Sequence, residues 1–288
     1  MVREQANAKI NLFLDVNSKR PDGFHNIKSV MHSVTLADSI AVSASEADAT
    51  EISVHTDSNE LASDKGNLVY RSAEKYLAKF EKNARVNITL EKRIPIGAGL
   101  AGGSADAAAT LRALNRIFNL ATKEQLLEIA AEIGSDVPFC LLEGTALCEG
   151  KGEIITPLEP AQNIHFVIAI GMERVSTPEA YRALDSLYTD GFPDESKKCE
   201  RLIASLKNEL DFTSLYNVFE DVIKLTEIEK IKEILIKSKA ESALMSGSGP
   251  SVFGIFNCAA KARNAKDELI KAGFDAYYAT SALNGETI

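Results

Sequence analysis

The feature that most constrains this chain is a glycine-rich segment, which reads Pro-Ile-Gly-Ala-Gly-Leu-Ala-Gly-Gly-Ser-Ala at residues 95–105. Glycine lets a backbone approach a ligand closely and turn its N–H groups inward. A helix that starts behind such a loop adds unpaired N–H donors and the positive end of its dipole. Together these features favour a polyphosphate ligand, so the segment predicts a nucleotide-binding protein.

The elements on either side of the loop follow from apolar periodicity. Alternating apolar residues at Val86, Ile88 and Leu90 predict a strand that runs into the loop. Behind the loop, apolar residues recur at helical spacing over 107–118, with Ser104 as the expected N-cap. The loop is therefore expected to connect a strand to a helix.

Other interpretations of the glycines are weaker. Residues 97–102 match G-x-G-x-x-G, but a dinucleotide fold also needs a following strand that ends in an acid, and a helix is predicted there. A P-loop needs a lysine after its last glycine, and none follows. The H-R-D and D-F-G signatures of protein kinases are absent. A purely structural turn remains possible from the loop alone, although four glycines cost folding entropy.

A second informative segment lies near the start of the chain. Residues 8–16 alternate between an aliphatic face and a face that carries Lys9 and Asn11, which is typical of a strand. Lys9 and Asn11 should therefore lie side by side, away from the aliphatic face. A turn signal at 21–23 follows, and Phe24 and His25 come directly after it.

The rest of the chain mixes strands and helices without strict β-α-β alternation, which favours an α+β fold. Thr122 and Gln125 form a capping-box pattern, and Gly134 should end that helix. Strands are predicted at 29–44, 164–170, 252–256 and 275–280, helices near 198–208, 227–237 and 259–272, a connection over 143–160 and a glycine turn at 245–251.

Composition limits the function classes. The net charge of −9 argues against a nucleic-acid surface. The cysteines show no C-x-x-C spacing, so neither a disulfide framework nor a zinc site is expected. No signal-peptide layout and no run approaching the roughly 18 apolar residues of a membrane span is present, so we expect a cytoplasmic protein without a membrane partner. The sequence does not give the oligomeric state.

Three segments together resemble the GHMP kinase superfamily. They are the loop at 95–105, Ala-Lys-Ile-Asn-Leu at 8–12 and Ser-Gly-Ser-Gly-Pro-Ser at 246–251. The resemblance implies an ATP-dependent kinase that uses Mg²⁺. It also implies a two-domain α+β GHMP fold, with a ribosomal-protein-S5-like ATP-binding domain at 1–158 and a ferredoxin-like domain at 159–288.

The resemblance narrows to one branch of this superfamily. Four blocks between residues 8 and 256 resemble enzymes that phosphorylate the 2-hydroxyl of a cytidyl-diphosphate-linked methylerythritol in non-mevalonate isoprenoid synthesis. The block Arg-Pro-Asp-Gly-Phe-His at 20–25 is the most specific of them. A small-molecule substrate with a cytosine base is therefore implied.

The same resemblance assigns the catalytic roles. Asp136, in Gly-Ser-Asp-Val-Pro-Phe, is implied as the general base, and Lys9 as the cation that orients it and stabilises charge. Taken alone, Asp136 could merely cap the segment at Val137, and Lys9 could be a solvated strand lysine. Ser104 is implied as a contact for Mg²⁺, in competition with its expected capping role. Asp106 is expected to be structural, since an acid suits the first turn of a helix.

The binding residues are implied in the same way. Asn11 and His25 should hydrogen-bond the substrate, and Phe24 and Tyr181 should stack on its base, although Phe24 stands where the family usually has tyrosine. The residues implied for ATP binding are Asn67, Leu68, Lys92, Pro95, Ile96, Gly97, Ala98, Gly99, Leu100, Ala101, Gly102, Gly103, Ser104 and Ala105.

Two alternatives stay open at this point. The chain could be a GHMP kinase for a different small alcohol, because Phe24 departs from the family pattern and residues 172–200 match loosely. It could also be a non-catalytic nucleotide-binding protein on a kinase fold. The joint presence of Lys9, the glycine loop and Asp136 argues against the latter.

Overall fold

A computed structural model describes residues 1–159, 164–207 and 210–282. Within these residues the strands are β1 (Val2–Lys19), β2 (His25–Glu46), β3 (Glu51–Thr56), β4 (Ala84–Glu91), β5 (Thr145–Gly150), β6 (Ile154–Leu158), β7 (His165–Ile170), β8 (Tyr216–Asn217), β9 (Ser242–Met245), β10 (Ser251–Phe256) and β11 (Asp275–Thr280). The α-helices are α1 (Leu68–Lys79), α2 (Gly102–Phe118), α3 (Lys123–Ile133), α4 (Val137–Leu142), α5 (Thr177–Leu187), α6 (Ser196–Ser205), α7 (Thr226–Lys237) and α8 (Ala259–Lys271).

The first sheet has the order β3-β4-β2-β1-β8, and β5 joins it by pairing with both β2 and β6. Its centre is the long antiparallel pair of β1 and β2, against which α2 packs. The strand β4 alternates strictly between buried and exposed residues, as expected for a sheet with one covered face. This sheet places the middle of β1 beside the glycine loop, where the Lys9 N–H donates to the Leu100 carbonyl at 3.1 Å.

The strand β1 departs from this pattern because both of its faces are covered. Every residue from 8 to 16 is buried. Phe13 belongs to the core beneath α2, whereas Leu14 and Val16 pack into a second core with Phe219 and Met245. The predicted alternation over 8–16 is therefore broken after Leu12, where the pairing of β1 with β2 shifts register between Asn11 and Phe13. The polar face at Lys9 and Asn11 exists, but it lies inside the protein, and Lys9 is only 5% exposed.

The second sheet is antiparallel, with the order β11-β7-β10-β9. The helices α7 and α8 pack on it around a core of residues such as Val167, Ile231 and Leu269. The predicted domain boundary after residue 158 falls between β6 and β7. Since β8, from beyond that boundary, pairs with β1, the division into domains 1–158 and 159–288 stays a prediction.

The α+β class and most predicted elements are confirmed. The capping box of Thr122 and Gln125 is present, and α3 ends at Gly134 as predicted. The prediction of a connection at 143–160 is wrong, because β5 and β6 form a hairpin there that pairs with β2. The glycine and proline content of that segment suggested a loop, but its apolar residues extend the first sheet. Across the described residues, no helix is long and apolar enough to cross a membrane.

Candidate active site

A cavity of about 820 Å³ lies where the two sheets meet. Residues from the glycine loop, β1, the turn after β1, the segment just before α4, α5 and the second glycine turn all line it. Of the predicted site residues, those that line it are Lys9, Asn11, Phe24, His25, Asn67, Lys92, Asp136, Tyr181 and every residue from Pro95 to Ser104. Leu68 and Ala105 do not line it, and Ala105 is buried within α2.

The glycine loop depends on backbone conformations that favour glycine. Gly97 and Gly99 have φ angles of +71° and +75°. At Gly99 space is also restricted, because a Cβ there would lie 2.7 Å from the Ser246 carbonyl oxygen. The loop therefore packs directly on the glycine turn of the second half of the chain.

The helix α2 begins at Gly102, and its N-cap is Ala101 in a left-handed conformation at φ 55°. The prediction that Ser104 caps this helix is therefore wrong, because the left-handed Ala101 caps the helix three residues earlier and places Ser104 inside its first turn. Within the described residues the Ser104 hydroxyl makes no hydrogen bond to protein, although it lines the cavity. This leaves the hydroxyl available to a ligand.

The second glycine turn is held by a residue that the sequence did not single out. Asn217 is buried, and its amide donates to the carbonyls of Met245 and Gly247 at 2.7 and 2.8 Å. Ser246 Oγ accepts the Asn11 N–H at 3.3 Å. The Asn217 bonds connect β8 to the turn across 28 and 30 positions, and the Asn11 bond connects β1 to the turn across 235 positions, so no local sequence signal identified them.

Lys9 and Asn11 lie side by side as predicted. Lys9 Nζ donates to Asn11 Oδ1 at 2.8 Å, and Asn11 Nδ2 donates to Ser29 Oγ at 2.8 Å. Ser29 Oγ in turn donates to the Phe13 carbonyl at 2.7 Å. This chain of hydrogen bonds fixes the orientation of the Asn11 amide and holds the Lys9 ammonium at the cavity wall. The interpretation of Lys9 as a solvated strand lysine is wrong.

Asp136 directly precedes α4, where its carboxylate lies 3.8 Å from Lys9 Nζ. It occupies the N-cap position, but its side chain makes no capping hydrogen bond. Its side chain is 32% exposed to the cavity, whereas that of Lys9 is 7% exposed. An accessible carboxylate beside a buried ammonium can accept a proton from a bound hydroxyl.

His25 has partners on α5 that the sequence did not reveal. Its Nε2 lies 2.7 Å from Asp185 Oδ1, and Lys19 Nζ donates to Asp185 Oδ2 at 2.6 Å. Partial burial acts to raise the pKa of Asp185, but hydrogen bonds from Lys19 and His25 prevail and lower it. Asp185 lies 160 positions from His25, and nothing in the local pattern of α5 indicates its role.

The two predicted stacking residues have different surroundings. The Phe24 side chain is largely exposed, and the Lys151 ammonium lies 4.9 Å from its ring centre. Tyr181 is stacked on His25 at 4.6 Å and contacts Phe219 edge-on at 5.0 Å. Burial raises the pKa of Tyr181 to about 12, so its phenol stays protonated at neutral pH. Their roles as walls of a base pocket stay a prediction.

Lys92 lies in a buried cluster of charges. Its ammonium donates to Asp38 Oδ2, and also to Asp106 Oδ2 at 2.8 Å. Burial acts against the charged form of Lys92, but the two carboxylates raise its pKa overall. Burial, reinforced by Asp38 and opposed by Lys92, raises the pKa of Asp106 to about 8. Two of the ammonium's donors are thus already used, and its predicted contact with ATP stays a prediction.

Asn67 has a clear structural use. It is the N-cap of α1, where Oδ1 accepts the Val69 N–H at 3.1 Å and Nδ2 donates to the Ala62 carbonyl at 2.8 Å. Leu68 is the first residue of the same helix, and its side chain lies near Gly103. Their predicted contacts with the purine base stay a prediction.

Among the described residues, no group of three or more metal-ligating side chains lies close enough together to form a metal centre. Mg²⁺ commonly binds through substrate phosphates and one or two protein oxygens, and keeps several waters. The unbonded Ser104 hydroxyl is an oxygen donor of that kind, and it lines the cavity. The residues present therefore fit a phosphate-bound Mg²⁺.

Two family models match this chain. The GHMP kinases N terminal domain matches residues 67–144, and the GHMP kinases C terminal domain matches residues 202–276. The first match covers the glycine loop and Asp136, and the second covers the glycine turn that packs against the loop.

Individual relatives narrow the assignment. A 4-diphosphocytidyl-2-C-methyl-D-erythritol kinase from Syntrophomonas wolfei subsp. wolfei is 42% identical over 262 residues, which are 88% of each chain. A protein of the same name from Brevibacillus brevis is 43% identical and covers 89% of this chain and 88% of its own.

Solved structures agree with these relatives. A crystal structure of 4-(cytidine 5'-diphospho)-2C-methyl-D-erythritol kinase is similar with a TM-score of 0.81 at 33% identity, over 99% of this chain and 100% of that one. A homoserine kinase from Cytophaga hutchinsonii shares the fold, with a TM-score of 0.72 at 21% identity over 96% of this chain and 95% of its own. This chain therefore belongs to the 4-diphosphocytidyl-2-C-methyl-D-erythritol kinase family of the GHMP kinases.

Proposed function

We propose that this protein transfers the γ-phosphoryl group of ATP to the 2-hydroxyl of 4-diphosphocytidyl-2-C-methyl-D-erythritol, in the non-mevalonate route to isoprenoids. The observation that carries this proposal is that the glycine loop and the Lys9–Asp136 pair line one cavity. The loop can hold the phosphates of the donor, and the pair can receive the proton of the acceptor.

In this mechanism the Asp136 carboxylate accepts the proton of the substrate hydroxyl as its oxygen forms a bond to the γ-phosphorus. The bond between the γ-phosphorus and the β,γ-bridging oxygen breaks, and ADP leaves. The Lys9 ammonium, which Asn11 holds in place, stabilises negative charge on the attacking oxygen. Phosphoryl transfer needs mainly positioning and charge stabilisation, and these residues are suited to both.

The N–H groups of the glycine loop and the start of α2 would bind the β- and γ-phosphates. The Ser104 hydroxyl would hold Mg²⁺ on those phosphates. When bound, the ion would neutralise charge that develops on the transferred group. We infer Lys92, Asn67 and Leu68 to lie near the nucleoside of ATP, and Asn11, Phe24, His25 and Tyr181 near the acceptor.

The proposal is tested with Asp136→Asn. We expect the turnover rate with the cytidyl substrate to fall by about 10²–10⁴-fold, the usual contribution of a general base, while both substrates still bind. The readouts are ADP release, phosphorylated product and calorimetric binding of each substrate. Asp275→Asn, at an exposed position of β11, is the matched control and should behave as wild type.

Two results would contradict this proposal. Full activity of Asp136→Asn would remove Asp136 as the base. Turnover by wild type of a small alcohol without cytidine, in preference to the cytidyl substrate, would reject the proposed acceptor.

A further inference from the structure

We propose that Asp185 is a positioning residue that holds His25 with Nε2 protonated and Nδ1 bare, so that the site selects a base with an exocyclic amino group and rejects uracil. This inference rests on the proposed function, because it concerns the base of the acceptor. It assigns a role to a residue of α5 that no motif identifies.

The first step concerns the proton on Nε2. The Asp185 carboxylate accepts hydrogen bonds and cannot donate them when it is ionised. Lys19 occupies its Oδ2, and His25 Nε2 lies 2.7 Å from its Oδ1. The hydrogen bonds from Lys19 and His25 favour the ionised form of Asp185, so Nε2 must be the donor. The partner of one ring nitrogen sets which nitrogen carries the proton.

The second step concerns the ring, which cannot rotate freely. Tyr181 is stacked on it with ring planes 20° apart, and Phe192 contacts it edge-on at 5.8 Å. The His25 side chain is only 5% exposed, yet the residue lines the cavity. In the described part of the chain, Nδ1 has no hydrogen-bond partner. A neutral imidazole with a proton on Nε2 therefore presents Nδ1 as an acceptor from a nearly buried position.

The third step concerns the ligand. Cytosine carries an amino group at N4, which donates hydrogen bonds, whereas uracil carries a carbonyl oxygen at the same position, which accepts them. An acceptor at Nδ1 pairs with the amino group and opposes the carbonyl. Leaving a buried polar group unpaired costs about 1–3 kcal/mol. The dyad of His25 and Asp185 would thus discriminate between two bases of the same shape.

The experiment compares wild type with Asp185→Leu, which removes the acceptor at similar size. Calorimetry measures the binding of cytidine 5'-diphosphate and uridine 5'-diphosphate to both proteins. We expect wild type to prefer the cytidine compound at least tenfold, and the variant to lose most of that ratio. In kinetics, the KM for the cytidyl substrate should rise while kcat and the KM for ATP stay near wild type.

The matched control is Glu179→Gln on the same helix. Glu179 is 70% exposed and pairs only with the equally exposed Arg182 among the described residues, so its loss should leave the base preference unchanged. This control separates a specific effect of Asp185 from a general loss of negative charge on α5.

A second measurement determines directly which ring nitrogen of His25 carries the proton. In protein labelled with ¹⁵N-histidine, the His25 signals should show a protonated Nε2 and a bare Nδ1. His25→Asn identifies those signals. In Asp185→Leu the two tautomers should mix. If that variant does not fold, the wild-type spectrum still decides the assignment.

A wild-type His25 with its proton on Nδ1 would overturn the proposal. So would equal binding of the two nucleotides by wild type, or an unchanged ratio in Asp185→Leu. These results are distinct from failure of the proposed function, which would appear as absent turnover of the cytidyl substrate by wild type. The binding and ¹⁵N measurements need no turnover.

Discussion

The two buried lysines at the cavity differ in how fully their charge is balanced. Lys92 lies between Asp38 and Asp106, whose side chains are at most 3% exposed, and both carboxylates contact its ammonium. Lys9 donates to the neutral amide of Asn11, and its nearest carboxylate, Asp136, is 3.8 Å away and open to the cavity. Charge that is already balanced holds a fold together, whereas charge that is only partly balanced can act on a ligand.

The largest expected effect tests the fully paired lysine. Lys92→Met should destabilise the fold by about 3–5 kcal/mol, because it leaves the fully buried carboxylate of Asp38 without a cation. The free energy of unfolding in urea at neutral pH measures this loss. Asp106→Asn is the comparison variant and should cost far less, because the raised pKa of Asp106 keeps its carboxyl largely protonated at neutral pH and asparagine keeps an oxygen for Lys92.

Similar losses of stability in Lys92→Met and Asp106→Asn would contradict this interpretation of the cluster. So would a Lys92→Met variant with normal stability and a defect confined to ATP binding, which would make Lys92 a ligand-binding residue above all.

The second effect tests the partly paired lysine. Lys9→Met should lower kcat by about 10²–10³-fold, the usual cost of removing one group that stabilises developing charge. Its stability should change little, since Asp136 is accessible to water and does not become a buried unpaired charge. Steady-state kinetics and urea unfolding on the same preparation measure both quantities.

Lys237→Met is the matched control for Lys9→Met, because Lys237 is 72% exposed and lies on the surface of α7. A Lys9→Met variant that unfolds as easily as Lys92→Met would remove the distinction between the two lysines.

The same contrast explains what the sequence could and could not predict. The glycine loop could be identified because a site formed by backbone N–H groups needs several glycines close together in the sequence. Lys9 and Asn11 were predicted side by side because strand periodicity is local. The covering of both faces of β1 was missed, since the second core that covers Leu14 comes from residues beyond 160.

The partners of the site residues were missed for a related reason. Asp185 reaches His25 across 160 positions, and Asp38 reaches Lys92 across 54. A single carboxylate on a helix or strand carries no local pattern that identifies its partner. The start of α2 was misplaced because Ala101 adopts a left-handed conformation, which is rare for residues other than glycine and which sequence rules do not assign to alanine.

The third effect concerns the glycine loop. It compares Gly97 and Gly99, whose φ angles are similar. Gly99→Ala should weaken ATP binding and destabilise the fold, because its Cβ would lie 2.7 Å from the Ser246 carbonyl and 3.1 Å from that of Gly249. Gly97→Ala meets no atom within 4 Å and should cost only the strain of its positive φ, about 1–2 kcal/mol. Calorimetric affinity for ATP and urea unfolding measure the difference. Equal effects of the two substitutions would show that contact with the second glycine turn is unimportant.

The smallest effect concerns Asp15, a buried carboxyl that has no ion pair among the described residues. Its Oδ1 accepts the Val16 N–H at 2.9 Å and its Oδ2 accepts the Glu195 N–H at 3.2 Å, so it joins β1 to the start of α6. Burial raises the pKa of Asp15 to about 6, despite these bonds and with help from the charges of Glu195 and Asp194.

Because the folded state holds this proton more tightly than the unfolded chain, Asp15 should lower stability as pH rises from about 4 to about 6. Asp15→Asn carries no charge to bury, so it should gain about 1–2 kcal/mol relative to wild type across that range. Urea unfolding at a series of pH values measures the difference, and the exposed Asp275→Asn should show none. A difference that stays flat with pH, or that falls, would mean that Asp15 is charged in the folded protein and that its two N–H donors are enough to balance it.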